Sequence, residues 1–168
     1  RVDLAMAPVA ALFAHPEWAV LPGSMIGARG AVASVLVLGT GDPSTWRRVH
    51  PDAHSLTSNA LARIVLERRE RLRPAWGSPL ALARRSPPEP RAGEAWVVIG
   101  TRALRWSPRW QAAGGCVLDL GQAWTQWTGL PAVFALWAVR PGARLAQWPA
   151  RLEALKRRNL RRLGRIAA

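Results

Sequence analysis

The stretch Gly30-Ala-Val-Ala-Ser-Val-Leu-Val-Leu-Gly39 decides the fold class. Between its flanking glycines, Ala31–Leu38 is apolar except for Ser34 and rich in β-branched side chains, which predicts a strand. A strand that is apolar on both faces is typical of a sheet covered by helices on both sides, and such sheets are mostly parallel. Upstream, Ala19–Leu21 predicts a shorter strand that ends at Pro22. We therefore expect residues 31–38 to form a buried strand of a parallel sheet.

Periodic stretches further along the chain extend this prediction. Residues 96–99 and 117–120 are short apolar runs that predict two more strands. Residues 59–72 carry an apolar stripe at helical spacing, and residues 145–166 have the pattern of one or two basic amphipathic helices. Strands that alternate with helices indicate an α/β fold.

Composition excludes several classes of protein. The 168 residues are 49% hydrophobic and include ten tryptophans, which argues against a disordered chain. No stretch approaches the roughly 18–20 uninterrupted apolar residues that a transmembrane helix needs. The single cysteine, Cys116, excludes an internal disulfide framework and a cysteine-based zinc site. Because the three histidines fit no metal-binding spacing, we expect no metal site.

The charge is strongly basic, with 24 Lys and Arg against 10 Asp and Glu, a net charge of +14. This balance is compatible with nucleic-acid binding through the basic tail Arg151–Arg165, and that alternative stays open. Most of the other basic residues are spread along the chain. The positive electrostatic field that they create would also attract a small dianionic metabolite. We favour the metabolite and expect no nucleic acid and no membrane as partners, with the tail as a solvated helix face.

Two groups of hydroxyl residues are candidates for binding an anion. Ser55, Thr57 and Ser58 stand at the start of a predicted helix, where backbone N–H groups and the helix dipole favour negative charge. The alternative is that they only cap the helix. Ser34 is the lone hydroxyl in an apolar strand, either directed at a ligand or satisfied by a neighbouring carbonyl. The chain has no P-loop, no G-x-G-x-x-G and no G-x-S-x-G motif.

A longer segment, VLDLGQAWTQWTGLPAVFALW at residues 117–137, resembles the hallmark of the chorismate dehydratases of the futalosine route to menaquinone. The family pattern there is D-L-G-x-x-W-x-x-W/x-T-G-L-P-F-V-F-A-x-W. Four other stretches resemble the family in order and spacing, namely DLAMAPVAAL (3–12), GARGAVASVLVL (27–38), SLTSNALARIVLERR (55–69) and VVIGTRAL (97–104). A dihydroxynaphthoate synthase of the same pathway shares part of the pattern, but the aromatic AVFALW favours the dehydratase.

The resemblance implies a two-lobed α/β fold of the type-II periplasmic-binding-protein class, with the ligand in a cleft between the lobes. We expect residues 1–41 and 129–168 to form lobe I and residues 42–128 to form lobe II. The family's N-terminal S-Y-L-N-x-x-P motif, whose asparagine is thought to contact substrate, has no counterpart here. We therefore expect the N-terminal part of lobe I to be absent from this sequence.

The resemblance also implies the reaction, in which chorismate loses water to give 3-[(1-carboxyvinyl)oxy]benzoate in the cytoplasm. Because this product is aromatic, the driving force lies in the substrate, and we expect no cofactor. Under this hypothesis Ser34 contacts one substrate carboxylate, and Thr57 and Ser58 hold the other together with the amides of their helix start. Ser55, at the same helix start, is also expected to bind substrate. Gly100 and Thr101 belong to a further matching block and are also expected to bind substrate, with Thr101 where the family commonly has Asp.

The only His or Glu in a matching block is Glu67, which we interpret as part of a solvated helix turn. The catalytic base therefore stays unknown, and a substrate carboxylate is the hypothesis for it. A non-catalytic aromatic-acid binding protein of the same fold is an alternative to the enzyme. The oligomeric state is open, with a homodimer as one alternative.

Overall fold

The computed structural model describes residues 2–81, 87–144 and 146–166. The strands are β1 (Leu4–Pro8), β2 (Ala19–Ala28), β3 (Val35–Gly39), β4 (Arg48–His50), β5 (Ala75–Trp76), β6 (Glu94–Ile99), β7 (Cys116–Asp119) and β8 (Ala132–Val139). The helices are α1 (Val9–Ala14), α2 (Leu56–Ile64), α3 (Gly100–Ala112), α4 (Leu120–Thr128), α5 (Trp148–Leu160) and α6 (Leu163–Ile166). This content confirms the α/β class.

The chain divides into two compact units. Unit 1 comprises Arg1–Ile26 and Val133–Ala168, and unit 2 comprises Gly27–Ala132. These bounds differ from the expected lobes, 1–41 with 129–168 and 42–128. The difference arises because β3, which we assigned to lobe I, pairs with β6 and β7 inside unit 2.

Unit 1 is built on a three-stranded sheet in the order β1-β8-β2. β1 and β8 are antiparallel, with Leu4 opposite Val139. β2 continues through Pro22-Gly23, where we expected it to end. An edge strand tolerates proline because one side of it needs no ladder hydrogen bonds, and β2 is an edge strand. The basic C-terminal region forms α5 and α6, and Leu145, where we predicted it to begin, lies outside the described residues.

Unit 2 is built on a five-stranded sheet in the order β5-β4-β6-β3-β7. β4, β5 and β6 are parallel, whereas β3 runs antiparallel to both β6 and β7. The prediction of a parallel central strand was therefore wrong. Every residue of β3 is nevertheless buried, because helices cover both faces. An apolar run reports burial on two faces and not strand direction.

The two faces of this sheet are packed by different helices. α3 covers one face, where Leu38, Trp96 and Trp106 belong to one buried cluster. α2 and α4 cover the other face and bury Leu61, Val65 and Leu120. Unit 2 is thus a three-layer α/β/α arrangement around a continuous apolar core.

Two helical predictions need correction. The helix expected at residues 59–72 begins earlier, at Leu56, and after Ile64 continues as one π-helical turn, Val65–Arg69. α3 was not predicted, since Gly100 and Pro108 are poor helix formers and no side chain caps its start. Its packing against the sheet, through Trp106 and Trp110, overrides that weak propensity.

Candidate functional site

Three helices start at one edge of the sheet in unit 2. α2, α3 and α4 follow the carboxyl ends of β4, β6 and β7, and these three strands run in the same direction. Because β3 runs the opposite way, its first residue and the preceding Ser34 reach the same edge. Open α/β sheets bind ligands beyond the carboxyl ends of their strands, where helix N-termini favour anions. All six predicted site residues, Ser34, Ser55, Thr57, Ser58, Gly100 and Thr101, lie in unit 2 near this edge.

Ser34 and the start of α3 are in direct contact. The backbone N–H of Gly100 donates to the carbonyl oxygen of Ser34 at 2.7 Å. Ser34 is half-buried and Thr101 is exposed. Among the described residues, no protein group is hydrogen-bonded to the side-chain hydroxyl of either. The structure thus places two unpartnered hydroxyls beside one helix start, and Ser34 is not satisfied by a neighbouring carbonyl.

The start of α2 is more enclosed than the start of α3. Ser55 is the N-cap residue, and its Oγ accepts the backbone N–H of Ser58 at 3.2 Å. Thr57 and Ser58 are buried, with 7% and 4% of their surface exposed. The capping role that we held as the alternative therefore applies to Ser55, and the buried Thr57 and Ser58 pack as part of the helix.

A buried ion pair connects the start of α2 with the start of α3. Arg102 donates from a terminal guanidinium nitrogen to Oδ2 of Asp52 at 2.7 Å, and the Asp52 side chain is fully buried. The other carboxylate oxygen accepts the N–H of His54 at 2.8 Å. Asn59 in α2 bonds the backbone of Asp52 through both its amide oxygen and its amide nitrogen. Our sequence reasoning missed this pair, since the residues are 50 positions apart.

The D-L-G motif at residues 119–121 stabilises the loop that precedes Ser34. The carboxylate of Asp119 accepts the N–H groups of Val32 and Ala33 at 3.0 and 2.7 Å, and also that of Gln122 at 2.9 Å as the N-cap of α4. Ala33 has a φ of 57°, a left-handed conformation that costs a non-glycine residue about 1–2 kcal/mol. Asp119 thus holds a strained turn immediately before the candidate hydroxyl.

Gly121, the glycine of this motif, allows the close packing of α4 on the same loop. A Cβ added at Gly121 would lie 2.8 Å from the carbonyl oxygen of Gly30. The N–H of Gly30 in turn donates to Oγ1 of Thr125 in α4 at 2.9 Å. Any larger residue at position 121 would push the loop away from the helix.

Cys116 lies at the opposite end of β7 from Asp119, away from this edge. Burial, and to a smaller extent the negative charge of Asp42, raise the pKa of its thiol. A thiol that stays protonated at neutral pH is a poor nucleophile. Among the described residues, no three His, Cys, Asp or Glu side chains are grouped so that they could hold a metal ion.

In the part of the chain that the structure describes, none of the helices has the length and apolarity that crossing a bilayer requires.

The fold and the edge define a class: an α/β protein in which helix starts, hydroxyls and backbone amides lie together at one edge of a sheet. The chain matches the menaquinone biosynthesis family over residues 1–162 and belongs to that family. The fold is similar to the X-ray crystal structure of protein AF1704 from Archaeoglobus fulgidus, with a TM-score of 0.56 at 15% sequence identity. That match covers 86% of this chain and 52% of the other, so the chain spans about half the length of that solved structure.

Proposed function

We propose that this chain carries a chorismate dehydratase function, converting chorismate to 3-[(1-carboxyvinyl)oxy]benzoate and water. Family membership supports a role in menaquinone biosynthesis. The single observation that carries the finer proposal is the unpartnered hydroxyl of Ser34 beside the start of α3, at the edge where three helices begin. Such an edge suits a dianion, because helix starts and hydroxyls bind carboxylates without a metal.

The reaction demands little covalent chemistry from the protein. One ring proton and the ring hydroxyl leave chorismate together as water, and the ring becomes aromatic. The protein has to bind the two carboxylates, exclude water and orient the departing groups. In this proposal a carboxylate of the substrate takes the ring proton and passes it to the departing hydroxyl, which leaves as water. The only His or Glu in a block that matches the family, Glu67, instead accepts a hydrogen bond from Trp76.

The roles of the site residues follow from their surroundings. Ser34 and Thr101 have exposed or half-buried hydroxyls that are free to donate to a carboxylate. Gly100 opens α3 with a φ of 63°, in the region that glycine adopts without strain. Ser55, Thr57 and Ser58 would act through the amides of the α2 start rather than through their buried or capping side chains.

We further propose that units 1 and 2 correspond to the two lobes of a type-II periplasmic-binding-protein-like fold. Each unit has its own sheet, which is what this fold class requires of its lobes. We also propose that the protein is cytoplasmic, that chorismate is its small-molecule partner and that it does not bind nucleic acid.

The test is incubation of the purified chain with chorismate, followed by mass spectrometry and ultraviolet absorbance. A dehydratase forms an aromatic product that is lighter by one water. The dihydroxynaphthoate synthase alternative predicts a naphthalene-type product from its own substrate and none from chorismate. A non-catalytic binding protein retains chorismate unchanged while binding it.

A further inference from the structure

The starts of α2 and α3 are joined by the pair Asp52–Arg102, which no part of the proposed reaction uses. Asp52 lies in the connection between β4 and α2, and Arg102 is the third residue of α3. β4 and β6 are neighbouring parallel strands, so the pair spans the two connections that leave them at the site edge. The 2.7 Å contact therefore links two helix starts that belong to different strands.

The pair is built more tightly than an ordinary surface ion pair. The Asp52 side chain is 0% exposed and that of Arg102 is 15% exposed. The carboxylate of Asp52 also accepts the N–H of His54, and its backbone is bonded twice to the side chain of Asn59, so Asp52 is attached to the start of α2 at three points. Removal of one partner from a buried pair leaves an uncompensated charge, whereas an exposed pair contributes little.

We infer that Asp52 and Arg102 are positioning residues that fix the separation of the α2 and α3 starts for a ligand with two carboxylates. This inference rests on the proposed function and adds to it how the protein binds both carboxylates of its ligand at once. A ligand with one carboxylate needs only one helix start. A ligand with two needs both starts at the correct distance, and small misplacements of binding groups are costly in rate and affinity.

A purely electrostatic role predicts a different result. If Arg102 acted only by attracting anions, Arg102→Gln would weaken binding and Asp52→Asn, which removes a negative charge, would strengthen it. The positioning role predicts that both substitutions weaken dicarboxylate binding. It also predicts that the double variant is no worse than either single variant, because the two residues act as one unit.

The experiment compares the full chain with Asp52→Asn, Arg102→Gln and the double variant. Isophthalate, an aromatic dicarboxylate that cannot be dehydrated, and benzoate, its monocarboxylate counterpart, are titrated by calorimetry. We expect the Kd for isophthalate to rise about 10- to 100-fold in every variant, while the Kd for benzoate changes less than about twofold. With chorismate, KM rises by a similar factor as the Kd for isophthalate, and kcat falls less.

Arg102→Lys keeps the positive charge but loses the planar guanidinium group and its forked hydrogen-bond geometry. It replaces the neutral variants in the experiment if they fail to fold. We expect it to weaken isophthalate binding by an intermediate factor and to leave benzoate binding unchanged. Opposite signs for the two single variants, or equal losses for isophthalate and benzoate, would overturn the positioning role. Isophthalate binding with the expected pattern but no turnover of chorismate would overturn the proposed reaction and retain the positioning role. If the unsubstituted chain binds neither acid, both are overturned.

Discussion

The carboxylate of Asp119 accepts the backbone N–H of Ala33 at 2.7 Å, joining the start of α4 to the residue before Ser34. The same carboxylate caps α4 and accepts the N–H of Val32. One side chain thereby fixes a helix start and the left-handed turn that delivers a candidate ligand-binding hydroxyl to the sheet edge.

Substitution of Asp119 tests this role. Asp119→Ala removes a helix cap and two charge-assisted hydrogen bonds, so we expect the free energy of unfolding to fall by about 2–4 kcal/mol. Urea denaturation measures the loss. The matched control is Asp42→Ala, which removes an exposed cap from the short turn Pro43–Thr45 and is expected to cost under about 1 kcal/mol. Equal losses in the two variants would contradict the special role of Asp119.

Gly121 is predicted to be intolerant of a methyl group. Gly121→Ala brings a Cβ to 2.8 Å from the Gly30 carbonyl oxygen, and the backbone of the loop has to shift. We expect a loss of about 1–3 kcal/mol in the free energy of unfolding. Gly164→Ala is the control, because a Cβ there meets nothing within 4 Å and alanine favours the helix. Thermal unfolding that ranks Gly121→Ala at or above the unsubstituted chain would refute the close-packing account.

Ser34 is predicted to affect turnover and not stability. Its hydroxyl has no partner among the described residues, so Ser34→Ala leaves no unsatisfied group behind. We expect kcat/KM for chorismate to fall about 100-fold, the scale for one preorganised donor, while the midpoint of thermal unfolding stays within about 2 °C. The matched control is Ser107→Ala, at a half-buried position two turns into α3 and away from the site edge, which should leave turnover unchanged and should not lower stability. A large loss of stability in Ser34→Ala would point to a packing role instead.

Cys116 is predicted to be slow to react. Burial and the charge of Asp42 raise the pKa of its thiol, so the thiolate forms only at a higher pH than in a free cysteine. Alkylation by iodoacetamide, followed by mass spectrometry from pH 7 to 10 beside glutathione, should show a later rise for Cys116. Asp42→Asn removes the smaller of the two causes and should shift the rise slightly toward lower pH. Faster alkylation than glutathione at neutral pH would contradict this account.

The sequence was sufficient for the parts of the fold that depend on local pattern. The buried strands around Leu36 and Val97 were predicted from their apolar residues alone, because burial on two faces leaves no polar positions. The strand around Leu118 was predicted in the same way, although as an edge strand it is only half-buried. The antiparallel direction of β3 was not predictable in this way. A strand shows the same pattern of buried residues whether its neighbouring strands are parallel or antiparallel to it.

The candidate site could be predicted only in part for a similar reason. Ser34 and Ser55 stood out by their local context, as a lone hydroxyl in a strand and a hydroxyl at a helix start. Asp52 and Asp119 did not, since their partners Arg102 and Ala33 lie 50 and 86 positions away. Long-range hydrogen bonds leave no periodic signal, and one sequence does not reveal which distant residues meet.

The most direct test of the central claim is the exposure of the purified chain to chorismate, with the product followed by mass and by aromatic absorbance. We predict an aromatic product lighter than chorismate by one water, formed at a rate that is proportional to protein concentration and is strongly reduced in Ser34→Ala. Chorismate recovered unchanged, or turned over equally well by Ser34→Ala, would contradict the account.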